Sequence, residues 1–87
     1  MNNKVLIKLI IPELSESYDV FIPVNEIVWK IKKLLVKAVS DLSGTILDQN
    51  LDYVLIDKNT CKIYDNNEII INTDIRNSSE LILMCTI

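Results

Sequence analysis

Residues 25–42 read NEIVWKIKKLLVKAVSDL, and this stretch decides the fold. Ile27, Ile31, Leu34, Leu35, Ala38 and Leu42 recur at spacings of three and four, and Val28 and Val39 widen the stripe. At about 100° per residue they share one side of a helix. Trp29 and Val36 fall on the opposite side, among Lys32, Lys33 and Ser40. Asn25 suits the N-cap, because its side chain can accept a backbone N–H of the first turn. Glu26 then meets the positive helix end, and Val24 and Trp29 stand where a hydrophobic staple would pair. Gly44 is a fitting stop. No other stretch of the 87 residues carries a long helical pattern.

The flanking segments alternate instead. Residues 4–11 (KVLIKLII) put Val5, Ile7, Leu9 and Ile11 on one face and Leu6, Lys8 and Ile10 on the other. That period of two, with β-branched residues, predicts a strand. Pro12 ends it, and residues 13–17 make a hairpin turn into a return strand at 18–22. Asp19 resists burial, so Tyr18, Val20 and Ile22 face the core and Phe21 faces out. After the helix, residues 51–56 predict a third strand whose register stays open, because residues 53–56 are all apolar. A turn at 57–60, a short extended piece at 61–64, a brief apolar stretch at 69–71 and a polar segment around Ile75 follow. Residues 81–87 (LILMCTI) predict the last strand, with Leu81, Leu83 and Cys85 on one face and Ile82, Met84 and Thr86 on the other.

Composition narrows the possible functions. With 49% hydrophobic residues, one Gly and two Pro, the chain suits a single domain over 1–87 with a dense core. The net charge of −3 argues against nucleic acid as a partner. Lys30, Lys32, Lys33 and Lys37 cluster in the helix, either as a solvated face or as a local positive patch for an acidic partner. There is no His, and Cys61 and Cys85 fit no zinc spacing. No segment approaches the roughly 18 apolar residues of a membrane span, so direct membrane insertion is not expected. The N-terminal apolar run is too short for a signal peptide. A cytoplasmic protein with reduced thiols and no metal or cofactor is expected.

The carboxylates Asp48, Asp52, Asp57, Asp65 and Asp74 are scattered in turn-like segments, and the spacing pairs no acid with a base. Ser15, Ser17, Ser78 and Ser79 likewise suit turns, with no His to activate them. A non-catalytic chain is the expectation.

The order hairpin, helix, strand, short strand, turn, strand suits an α+β domain with a helix on one sheet face. Through KVLIKL, the helix after Pro23 and the spacing of Ile70, Ile75, Leu81 and Leu83, the sequence resembles the ubiquitin-like β-grasp fold. That resemblance implies a mixed four- to five-stranded sheet packed on one main helix, with the first and last strands parallel at its centre. Residues 4–42 and the closing IRNSSELILM look most like the YukD/EsaB family, small ubiquitin-like accessory proteins of bacterial type VII (WXG-type) secretion systems. Family members usually carry Gly in the closing turn, where this chain has Ser78 and Ser79. Ubiquitin and the sulfur carriers need a tail ending in Gly-Gly to enter an activating enzyme. Here the sequence given ends at Ile87 in an apolar run, so the resemblance implies an unconjugated protein. The alternatives are a sulfur-carrier or modifier relative, and a β-grasp domain that mainly self-associates.

Two surfaces are candidates for partner binding. The strand faces turn Leu6, Ile10, Phe21, Ile82 and Met84 away from the helix. On the β-grasp arrangement they would join into one contiguous patch, a mark of association with a protein partner or a second copy. The long loop at 43–50 is the alternative cover for that face. The second candidate is Trp29 with Lys33 and Val36 on the outer side of the helix.

Overall fold

The computed structural model describes residues 3–86. It contains strands β1 (Lys4–Ile11) and β2 (Glu16–Pro23), helix α1 (Val28–Ser43), and strands β3 (Tyr53–Asp57) and β4 (Glu80–Cys85). The sheet order is β2-β1-β4-β3. β1 and β2 form the antiparallel hairpin, β1 and β4 run parallel at the centre, and β3 closes the sheet antiparallel to β4. The expected central parallel pair is present. The far end of the last predicted strand, Ile87, lies outside the described residues.

Alternation explains which face is buried. Ile7, Leu9 and Ile11 of β1, Ile22 of β2, Leu55 of β3, and Leu81 and Leu83 of β4 all point under α1 and are buried. Full burial of each such side chain contributes about 1.5–3 kcal/mol against exposure. Ile70 and Ile75, from the 3-10 turn Ile70–Asn72 and the segment after it, complete the core. The four apolar positions singled out near the end of the chain, Ile70, Ile75, Leu81 and Leu83, are thus all part of the packed core.

The helix sits rotated from the expected stripe. Val28, Ile31, Leu35, Val36 and Val39 are buried, whereas Leu34 is 44% and Leu42 60% exposed. The reason lies in what flanks the helix. On the β3 side, Val36 lines one groove with Tyr53 and Tyr64. Both β2 and β3 are sheet edges, but beside β3 the segment 62–66 continues the cover through bonds to Leu55 and Trp29, whereas Leu34, on the other flank of the helix, stays exposed. Periodicity alone marks both flanks as apolar and does not choose between them.

The helix start also differs. Ile27, not Asn25, is the N-cap, and no side chain caps it. The orphan donors go to main chain from far along the sequence: Val28 N–H to Glu68 O at 2.8 Å and Trp29 N–H to Asn66 O at 3.1 Å. In return Ile70 N–H reaches Glu26 O and Ile71 N–H reaches Val24 O. With Ile27 as the cap, the Val24–Trp29 staple loses its positions. The C-terminal end is as expected, with Gly44 left-handed at φ 72°.

Candidate interaction surface of the sheet

All five predicted outer-face residues lie on the side away from α1. Phe21 is 57% exposed, Leu6 and Met84 are each 37% exposed, and Ile10 and Ile82 are half-buried. Register decides how they are grouped. Leu6 stands opposite Phe21 across the hairpin. Two residues along, Lys8 pairs with Asp19 on one side and Glu80 on the other, and the Lys58 ammonium lies 3.6 Å from Glu80. The result is a row of alternating charge across the whole sheet. Beyond it, Ile10 pairs with Ile82, and Ile82 with Ile56. Met84 then pairs with Val54.

The single contiguous patch expected from the strand faces is therefore split by the charged row. Leu6 and Phe21 form a small pair at one end. Ile10, Ile82 and Met84 form the larger part, extended by Val54 and Ile56 of β3. Ile63, 61% exposed, joins through an isolated bridge to Ile56. Val54 and Ile56 are not legible as outward residues in the sequence, because four consecutive apolar residues in β3 hide which ones face out; Leu55 faces in and fixes the others.

The loop after α1 does not cover this face. Leu47 packs against the core, its N–H donating to Ser40 Oγ at 2.9 Å, and the Tyr53 hydroxyl donates to Asp48 O at 2.9 Å. Both contacts hold the loop on the helix side.

The second candidate surface is corrected in part. Trp29 is 46% exposed, with the Lys33 ammonium 5.0 Å from its ring centroid. Val36 is only 2% exposed, so it belongs to the core and not to a surface site, for the reason given for the helix rotation.

Tyr64 brings together two of the scattered carboxylates. Its ring is buried, and its hydroxyl is 2.6 Å from Asp74 Oδ1 and 3.3 Å from Asp57 Oδ2. A phenol has one proton, so the shorter contact to Asp74 is the principal bond. Burial, the bond to Asp74 and the neighbouring negative charge push Tyr64 far above the usual tyrosine range. It is a held donor, clasping the 57–64 turn to the segment before β4. Backbone N–H groups of Thr60 and Asn59 keep Asp57 below the usual carboxylate range. Cys61 is exposed and Cys85 half-buried, both as thiols. Among the described residues no group of three or more His, Cys, Asp or Glu is placed to hold a metal ion, and no helix is long and apolar enough to cross a membrane.

No protein-family model and no curated protein matches the sequence. Solved structures do match in shape. The ubiquitin-like domain of Plasmodium falciparum Dsk2 superposes with a TM-score of 0.73 at 14% identity, over 95% of this chain and 99% of that one. The chain has the ubiquitin-like β-grasp fold. The ubiquitin-like domain of the Arabidopsis thaliana protein At2g32350 gives a TM-score of 0.70 at 15% identity, over 97% of this chain and 79% of that one. A chain of the MycP5-free ESX-5 inner membrane complex gives 0.77 at 13% identity, over 98% of this chain. The present chain spans only 21% of that ESX-5 chain.

Proposed function

We propose that this ubiquitin-like domain is a non-catalytic interaction module, an accessory component of a bacterial type VII (WXG-type) secretion system acting in the cytoplasm. The observation that carries this reading is the outer sheet face. There Ile10, Ile82 and Ile56 align across three strands, flanked by Met84 and Val54. Apolar surface kept on the side away from the core serves association. The secretion assignment draws support from the likeness to a chain of an ESX-5 inner membrane complex. The buried Tyr64 is engaged as a structural donor, which favours binding over chemistry.

The test is co-purification from a host with a type VII system, using the tagged chain and its Met84→Glu variant. Components of the secretion apparatus should be recovered with the parent and lost with the variant. Recovery of only a second copy would replace this reading with self-association. Formation of a C-terminal adenylate or thiocarboxylate with ATP and an activating enzyme would replace it with the sulfur-carrier reading.

A further inference from the structure

A groove of about 520 Å³ runs between α1 and the edge of β3, apart from the outer sheet face except where Val54 and Ile63 form its lip. Its helix wall carries Trp29, Lys32 and Lys33, and Tyr53 lies on the strand side. The Thr86 N–H donates to Asp52 O at 2.9 Å, so alternation turns the main-chain groups of the next residue, Tyr53, away from β4. Further along this edge the chain covers itself: Tyr64 N–H donates to Leu55 O, and Asp57 N–H donates to Lys62 O. That cover stops before Tyr53. In its place, the Lys32 ammonium donates to Tyr53 O at 2.6 Å.

A cation on a neutral acceptor is left with charge to satisfy. Among the described residues neither Lys32 nor Lys33 has a carboxylate within ion-pair distance. Burial lowers the Lys32 pKa, a sign that its ammonium is partly stripped of water. One groove therefore holds two lysines outside ion-pair distance of any carboxylate, with Asp52 offsetting the Lys32 charge in part, an exposed indole, and a strand edge that no other main chain covers at Tyr53. Asp52, whose charge acts on Lys32, and Asp65 also line the groove; they repel a polyanion and restrict the fit to a ligand of low charge. The bare edge asks for a peptide main chain.

We propose that this groove binds an extended acidic peptide segment. The segment continues the cover begun by residues 62–64 along the β3 edge, lays an apolar side chain on Trp29 and sets a carboxylate at Lys32 and Lys33.

Trp29 is the only tryptophan of the chain, so its fluorescence reports binding directly. The probes are an end-capped hexapeptide with a single Glu among Val and Ser residues (the Val–Glu peptide) and its Val–Gln counterpart. The Val–Glu peptide should give a saturable fluorescence change and shift the amide resonances of Trp29 and Tyr53. Replacing Glu with Gln in the peptide should weaken binding about tenfold, as should Lys32→Met. Lys33 is exposed, so Lys33→Ala keeps the test valid if Lys32→Met disturbs the fold. Lack of saturation at millimolar peptide, equal binding of the Val–Gln peptide, unchanged affinity in Lys33→Ala, or shifts confined to Ile82 and Met84 would each overturn the assignment.

Discussion

The Tyr64 hydroxyl donates a 2.6 Å hydrogen bond to Asp74 Oδ1, joining the turn after β3 to the segment that leads into β4. Because the folded state holds Tyr64 above its ordinary range, the clasp contributes fully below the unfolded tyrosine value of about 10 and is lost as pH rises above it. Tyr64→Phe should cost about 1–2 kcal/mol at neutral pH. It should also make the alkaline loss of stability shallower. Urea unfolding across an alkaline pH series, read beside tyrosinate absorbance, checks both; an alkaline decline as steep as the parent's would show that the clasp does not carry it.

Ser78 adopts a left-handed backbone at φ 74°, and its N–H donates to Leu6 O at 2.8 Å. The closing turn thus keeps a conformation that glycine takes with less strain. Left-handed backbone costs a non-glycine residue about 1–2 kcal/mol, part of which glycine's extra chain entropy offsets. Ser78→Gly should therefore raise the unfolding free energy by roughly 0.5–1 kcal/mol. Ser79 lacks the positive φ, and its Oγ accepts the Arg76 N–H. Ser79→Gly should destabilise. Denaturant midpoints of the two variants should move in opposite directions.

The charged row through Lys8 separates the two apolar groups of the outer face, so charge introduced in each should act differently. Met84→Glu should abolish association through the larger group. Phe21→Glu should weaken it less. Both side chains face away from the core, so stability should stay within about 0.5 kcal/mol of the parent. Sedimentation at several concentrations, alongside thermal melts, separates these effects. Unfolding of either variant would mean that the strand faces are reversed.

Ile31 is fully buried while Leu34 is 44% exposed. Ile31→Ala should cost roughly 2–5 kcal/mol. Leu34→Ala should stay below about 1 kcal/mol, because the truncated side chain leaves no enclosed cavity. Comparable losses at both positions in guanidinium unfolding would contradict the rotation of α1.

Much of this architecture was legible from local pattern. Alternation in β1 and β4 assigns the inward and outward faces, and Gly44 marks the helix end. The features that were not legible all depend on pairing between distant segments. Faces do not reveal register, so nothing local places Lys8, Asp19 and Glu80 in one row across the candidate patch. The apolar run of β3 conceals that Val54 and Ile56 face out. Leu34 and Val36 both suit a helix flank, and only the neighbouring strands decide which is buried. Tyr64 gathers Asp57 and Asp74 through a fold that spacing does not encode.

The main-chain caps at the start of α1 have a consequence for how the helix is completed. Val28 and Trp29 lack a local partner for their N–H groups until residues 66–68 arrive, which requires closing a loop of nearly half the chain. Docking of the second half is thus what takes the first two N–H groups of the helix out of water. The middle and C-terminal turns, with ordinary helical bonding and a glycine stop, need no such partner. The helix that dominates the sequence is capped by residues that lie well beyond it.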